Sequence, residues 1–141
     1  MVQKEIEKIL EGHKNIAIVG LSRNPEKDSY RVGSYLKKHG FRIIPINPSA
    51  TEILEERSYK NLLDIPVDVQ KVIDIVDIFR PSEDVPPIVE QAISLKEKHG
   101  KPEVVWMQLG ITNENAAKAA ETAGLAVVMN KCIMIEHTHL S

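Results

Sequence analysis

Five short apolar segments, separated by stretches with helical periodicity, constrain the fold of this chain more than any other feature. They are rich in β-branched residues and lack the polar alternation of a strand with one face in water, so each is predicted to be a buried strand. The segments are Ile16–Val19, Ile43–Ile46, Val72–Val76, Val104–Met107 and Ala126–Met129. Because strands that alternate with helices form parallel sheets covered on both faces, we expect a three-layer α/β fold.

Amphipathic patterns place helices between these strands. Three are predicted around Val32–His39, Val85–Leu95 and Ala116–Ala123, each followed by a glycine that ends the helix. The opening segment Val2–Gly12 is expected to form a helix that covers the sheet edge. Residues Thr51–Pro66 hold no single period for long, and we expect a short helix there with room for an edge strand.

Size and charge exclude several classes of protein. A chain of 141 residues with a net charge of −2 suits one compact domain, residues 1–141, and its basic residues are too dispersed for a nucleic-acid interface. The charged N-terminus does not resemble a signal peptide, and no apolar run approaches the ~20 residues of a membrane span. The single cysteine, Cys132, cannot form an internal disulfide. We therefore expect a cytoplasmic protein.

The segment after the first strand indicates a phosphate site. In open parallel sheets ligands bind beyond the carboxyl ends of the strands. The first strand ends in Gly20, and the eight-residue loop Leu21–Asp28 exceeds the roughly 2–6 residues of most such turns. This loop carries Ser22, Arg23 and Lys27 and leads into a helix, whose N-terminal amide groups favour anions.

Two departures from the dinucleotide-binding pattern narrow the choice of nucleotide. Gly20 fills the first glycine position of that pattern, but Ser22 and Pro25 occupy the second and third. At the end of the second strand, Asn47 and Pro48 stand where an NAD site would have an acidic residue for the ribose. A neutral residue there suits NADP or coenzyme A, and a simple turn that ends the strand explains it equally well.

Several motifs together resemble one family. They match, in order, those of the small stand-alone CoA-binding proteins, which are similar to the CoA-binding domain of the succinyl-CoA synthetase alpha subunit and of ADP-forming acyl-CoA synthetases. The motifs are Val19–Pro25, Pro45–Pro48, Asp74–Arg80, Val105–Gly110 and Cys132–His137. The resemblance implies a Rossmann-like fold, with a mostly parallel sheet of five or six strands and helices on both faces, that binds the nucleotide end of coenzyme A.

The resemblance also implies a set of contact residues. The segment Gly20–Arg23 would hold the pyrophosphate, Asn47 and Pro48 would lie beside the ribose phosphate, and Phe79 and Arg80 would line the adenine and pantetheine side. The predicted contacts are Gly20, Leu21, Ser22, Arg23, Lys27, Tyr30, Asn47, Pro48, Val76, Phe79, Arg80 and Gln108.

The predicted function is binding of coenzyme A or an acyl-CoA without catalysis. The related synthetases transfer phosphate through a histidine on a separate domain, and no spacing in this chain predicts a nucleophile with its base. His137 and His139 lack a third ligand at a suitable spacing, so no metal is predicted. Three alternatives stay open: an NADP-dependent oxidoreductase, a subunit of a split acyl-CoA synthetase, and a mixed disulfide between Cys132 and coenzyme A. A protein partner and a homo-oligomer also stay open.

Overall fold

The centre of the molecule is a five-stranded parallel sheet, in a computed structural model that describes residues 1–140. The strands are β1 (Asn15–Val19), β2 (Arg42–Ile46), β3 (Glu52–Ile53), β4 (Glu56–Arg57), β5 (Ile75–Ile78), β6 (Val104–Met107) and β7 (Ala126–Val128). The central sheet has the order β2-β1-β5-β6-β7, and β3 and β4 form a separate antiparallel hairpin. The predicted Rossmann-like α/β fold is therefore confirmed.

Helices cover both faces of this sheet. They are α1 (Gln3–Gly12), α2 (Asp28–Lys38), α3 (Val67–Gln70), α4 (Val85–His99), α5 (Glu114–Thr122) and α6 (Ile133–Thr138). Successive strand residues point to opposite faces, so two apolar cores form. Val76 and Ile78 pack on the side of α4 and α5, whereas Ile75 and Trp106 pack on the side of α1, α2 and α6. Among residues 1–140 we find no helix with the length and apolarity needed to traverse a bilayer.

Helix ends follow the local sequence rules. Pro86 and Pro87 lie in the first turn of α4, where the missing amide hydrogens cost nothing, and Gly100 ends this helix with φ of 78°. Asn113 caps α5, its side chain accepting a hydrogen bond from the Ala116 amide at 2.9 Å. These helix boundaries confirm the sequence prediction.

The third strand of the central sheet begins later than predicted. The apolar run Val72–Val76 was expected to be the strand, but β5 covers Ile75–Ile78. Asp74 anchors the boundary, because its side chain accepts hydrogen bonds from the amides of Lys14 and Asn15, at 3.1 and 3.0 Å, and its own amide donates to the Asn15 carbonyl at 2.9 Å, where pairing with β1 begins. The exit of this strand is consequently Phe79, and Asp77, the residue directly after the predicted strand, lies inside β5.

Three other elements also differ from the expectation. Helix α1 packs on a face of the sheet rather than at its edge, since Ile6 and Leu10 join the core that contains Trp106. The segment after β2 contains the expected short helix, a 3₁₀ helix at Leu62–Asp64, and an edge bridge from Tyr59 to β2, but it also forms the hairpin β3–β4, which was not predicted. Helix α6 was not predicted.

Candidate functional site

The order of the central strands reverses between β1 and β5, and ligands of such sheets bind beside this point. Backbone hydrogen bonds join the exits of β1, β2 and β5 there. The Gly20 amide donates to the Ile46 carbonyl at 2.9 Å, and the Phe79 amide donates to the Val19 carbonyl at 2.8 Å. The exits of β1, β2 and β5 are therefore held together as one rim.

Gly20 is required by the geometry of this rim. Its φ of +89° lies in the left-handed region, which side chains disfavour, and a Cβ atom at this position would lie 2.8 Å from the Phe79 carbonyl oxygen. The close approach of the two exits leaves no space for a side chain between them.

The loop between β1 and α2 uses some of its polar groups internally. The Ser22 amide donates to the Ser29 hydroxyl at 2.9 Å, and the Ser22 hydroxyl accepts from the Asn24 amide at 3.0 Å. Within the described part of the chain, the amides of Leu21 and Arg23 make no hydrogen bond. Leu21 is fully buried, so the amide of exposed Arg23 and the first turn of α2 are the backbone donors that remain for an anion.

Asn47 connects the end of β2 to this loop. Its side-chain amide donates to the Leu21 carbonyl at 3.0 Å, and its side-chain oxygen accepts from the amides of Ser49 and Ala50, at 2.7 and 3.1 Å. One N–H of the side-chain amide is then left for a ligand. The first role of Asn47 is thus to hold the rim in shape.

A cleft of about 340 Å³, which we name the first cleft, lies at these exits. It contains five of the predicted contacts, namely Gly20, Ser22, Asn47, Pro48 and Arg80. Its other lining residues were not predicted: Val19, Ile46, Lys60, Asn61, Leu62, Pro87, Ile88 and Gln91. Among the residues that the structure describes, the lining includes two cationic side chains and no carboxylate, so the first cleft favours an anionic ligand.

A second cleft of about 320 Å³ lies on the other side of the β5 exit. Two more of the predicted contact residues, Phe79 and Gln108, line this cleft together with Cys132. Most of its wall is apolar, and its two charged residues, Asp28 and Arg31, form an ion pair with each other. The second cleft therefore suits an apolar group.

The other predicted contacts do not line either cleft. Leu21 and Val76 are fully buried, Leu21 against α2 and Val76 in the core beneath α4. Arg23 and Lys27 are exposed on the loop, and Tyr30 is half-buried against the core on the α2 side. The burial of Leu21 includes its backbone, so of these two loop residues only Arg23 is exposed at the rim, and Val76 lies in the core away from both clefts.

The residues of the first cleft that were not predicted lie in segments with little sequence signal. Lys60 and Asn61 follow the hairpin in a segment without helical or strand periodicity. Gln91 faces inward from α4, and its side-chain oxygen accepts a hydrogen bond from the Leu62 amide at 3.1 Å. The position of polar Gln91 one helical turn after Ile88 was the one sequence clue to this part of the first cleft.

Two titratable groups that do not line either cleft have shifted pKa values. Asp77 is fully buried in β5 between Ile18 and Trp106, neither carboxyl oxygen has a hydrogen-bond partner, and burial raises its pKa well above the usual value. His137 of α6 lies with its Nδ1 2.7 Å from the Tyr35 hydroxyl, and partial burial followed by the charge of His39 lowers its pKa. Among residues 1–140 no three His, Cys, Asp or Glu side chains are grouped to hold a metal ion.

Known proteins resemble this chain, YneT in sequence and a solved structure in both sequence and fold. YneT of Bacillus subtilis (strain 168), an uncharacterized protein, is 35% identical over 133 residues, which cover 94% of this chain and 92% of YneT. A solved structure of a hypothetical protein from Pyrococcus horikoshii OT3 has a TM-score of 0.89 and 38% identity, covering 99% of this chain and 92% of that one.

A longer relative is an enzyme. The ADP-forming acetate–CoA ligase of Methanocaldococcus jannaschii is 29% identical over 135 residues, which cover 91% of this chain and 18% of the ligase. The family model described as "CoA binding domain" matches residues 14–138, which include β1 to β7, the shared rim and both clefts. By this match and by its similarity to YneT, the chain belongs to the CoA binding domain family.

Proposed function

We propose that residues 1–141 form a single domain that binds coenzyme A or an acyl-CoA at the exits of β1, β2 and β5. The observation that carries the proposal is the first cleft, which holds Lys60 and Arg80 with no carboxylate among its lining residues in the range 1–140 and lies beside the loop that carries the Arg23 amide. Coenzyme A carries a pyrophosphate and a ribose phosphate, and both need such a positive, donor-rich environment.

The two clefts match the two ends of coenzyme A. The loop amide and the start of α2 would bind the pyrophosphate, and the apolar side chains of Ile46, Leu62 and Ile88 would contact the adenine ring in the first cleft. The pantetheine arm would pass over the β5 exit into the second cleft, where Phe79 offers a flat apolar surface. The ligand would therefore bridge the switch point of the sheet.

We further propose that the domain binds its ligand without transforming it. As described over residues 1–140, neither cleft has a histidine in its lining, and the one carboxylate that lines the second cleft with Cys132, that of Asp28, is paired with Arg31. The acetate–CoA ligase is more than five times as long as the shared region, since that region covers 18% of it. Such ligases have ample additional chain for their chemistry.

Calorimetric titration with coenzyme A and acetyl-CoA tests the proposal. We expect saturable binding by the natural protein, and a loss of about tenfold or more, which corresponds to about 1.4 kcal/mol, in Ser22→Asp. The new carboxylate would stand against the pyrophosphate at the rim. Ser94→Asp is the matched control, because it adds the same charge at an exposed position of α4 outside both clefts. Absence of binding near 1 mM coenzyme A would contradict the proposal.

An NADP-dependent oxidoreductase is the second candidate, favoured by the neutral Asn47 at the β2 exit. NADPH fluorescence distinguishes the two candidates. Binding of NADPH by a protein that does not bind coenzyme A would reverse their order.

A further inference from the structure

We propose that Lys60 selects ligands that carry a phosphomonoester on the ribose. This inference rests on the proposed function, because it assigns one part of the ligand to one part of the first cleft. The shared chemistry is a ribose phosphate, which is the 3′-phosphate in coenzyme A and the 2′-phosphate in NADP. The residue was not among the predicted contacts.

The backbone beside Lys60 is fixed to the end of β2. The preceding residue, Tyr59, donates its amide to the Pro45 carbonyl at 3.1 Å, and its carbonyl accepts from the Asn47 amide at 2.9 Å. This parallel bridge extends the sheet edge by one residue pair, Ile46 and Tyr59. In nucleotide-binding sheets of this kind, the ribose lies at the end of the second strand. Lys60 therefore projects from the part of the rim where the ribose is expected.

The charges of the first cleft single out the same residue. Of the two cations in its lining, Arg80 donates to the Asp84 carboxylate at 2.9 Å and is thereby partly neutralised. Lys60 forms no ion pair within the part of the chain that the structure describes. An exposed ammonium group without a carboxylate partner is available to a phosphate.

Asn61, the polar residue next to Lys60, already makes hydrogen bonds within the protein. The Asn61 side-chain oxygen accepts from the amides of Leu63 and Asp64, at 2.8 and 3.1 Å, and its side-chain amide donates to the Asp64 carboxylate at 3.1 Å. Asn61 thus caps the 3₁₀ turn and holds that carboxylate. Of the pair Lys60 and Asn61, the lysine is left to contact the ligand.

The two anionic groups of the ligand then have separate partners. The pyrophosphate contacts come from the segment after β1, whereas Lys60 comes from the segment after β2. Removing the lysine charge should consequently weaken only those ligands that have the ribose phosphate. This selectivity separates a specific contact from a general loss of positive charge.

The experiment measures the affinities of coenzyme A, dephospho-CoA, NADP⁺ and NAD⁺ for the natural protein, Lys60→Met and Lys60→Arg. We expect the natural protein to prefer coenzyme A over dephospho-CoA by about tenfold. In Lys60→Met the affinity for coenzyme A should fall by about the same factor, with that for dephospho-CoA unchanged. Lys60→Arg, which keeps the charge, should retain the preference. The matched control is Lys71→Met, which removes an exposed lysine outside both clefts.

The outcomes are distinguishable. An equal loss for coenzyme A and dephospho-CoA in Lys60→Met, or no loss for either, would overturn the role of Lys60 while leaving coenzyme A binding intact. A Lys60-dependent preference for NADP⁺ over NAD⁺, without coenzyme A binding, would support the phosphate selectivity and overturn the proposed ligand. Failure of the natural protein to bind any of the four nucleotides would overturn both proposals.

Discussion

Gly20 determines how closely the exits of β1 and β5 approach. We expect Gly20→Ala to lower the free energy of unfolding by about 2 kcal/mol or more, because the left-handed backbone alone costs about 1–2 kcal/mol with a side chain. The contact of 2.8 Å between the added Cβ and the Phe79 carbonyl oxygen adds to this cost. Urea denaturation measures the difference.

The control for this substitution is Gly12→Ala at the end of α1. No atom lies within 4 Å of the Cβ position there. We expect little change or a slight gain in stability, since alanine favours the helix. Equal effects of the two substitutions would show that the rim is less tightly packed than described.

Asp77 has an ionisable carboxyl group but is fully buried in the core. A buried carboxyl without hydrogen-bond partners is unfavourable, and Asp77→Val fills the same strand position with a β-branched apolar side chain. We expect the free energy of unfolding at pH 7 to rise by about 1–3 kcal/mol. Asp77→Asn, of nearly the same shape, separates loss of charge from gain of apolar packing. A less stable Asp77→Val protein would contradict this account.

The sign of the pH dependence follows from the raised pKa. The folded state keeps its Asp77 proton at pH values where the unfolded chain, with an ordinary value of 3.8, has lost it. The contribution of this group to stability is therefore present at low pH and is lost as pH rises from about 3.8 through the native pKa. Asp77→Val should remove that part of the stability–pH curve.

Helix α6 is the element that the sequence did not reveal, and specific hydrogen bonds hold it. The Ile133 amide donates to the Gln108 side chain at 3.1 Å, and the Tyr35 hydroxyl lies 2.7 Å from His137 Nδ1. The ring of His137 also lies near Phe41 and His39, with ring-centroid distances of 5.3 and 5.4 Å. These contacts connect α6 to β6 and α2.

His137 makes the docking of α6 sensitive to pH. Its native pKa lies below the ordinary value of 6.5, because burial and the neighbouring His39 and Lys14 disfavour a second positive charge. The unfolded chain thus binds the proton first, so stability is fully present above pH 6.5 and falls as pH decreases through the native pKa. We expect His137→Asn to flatten the stability–pH curve below pH 6.5. The test is urea denaturation between pH 5 and 8.

A matched variant tests the hydrogen bond between Tyr35 and His137. Tyr35→Phe removes the hydroxyl but keeps the ring, which stacks on His39 at a centroid distance of 3.9 Å. We expect a loss of about 0.5–1.5 kcal/mol at pH 7. A curve for His137→Asn that keeps the full slope of the natural protein below pH 6.5 would assign the titration to another group.

Elements with strong local signals were predictable from the sequence, and elements set by distant contacts were not. The strands β1, β2 and β6 and the caps of α4 and α5 follow from apolar runs, prolines and glycines in the sequence itself. The start of β5 depends on Asp74 binding backbone amides nearly sixty positions earlier, at 3.0 and 3.1 Å. Helix α6 is short and depends on Gln108 and Tyr35, which no local pattern relates to it.

For the molecule as a whole, the sequence predicted which strand exits meet but not that they border two separate clefts. Parallel topology places the exits of β1, β2 and β5 at one edge, so Gly20, Asn47 and Arg80 were expected near one another. The sequence did not show that the β5 exit separates two clefts. It also did not show that Lys60 completes the first cleft, because hairpin β3–β4 positions this lysine through contacts with β2.

Phe79 and Arg80 are consecutive residues that line opposite clefts. One planar peptide unit joins them, so a shift of the backbone at the β5 exit would change the walls of both clefts at the same time.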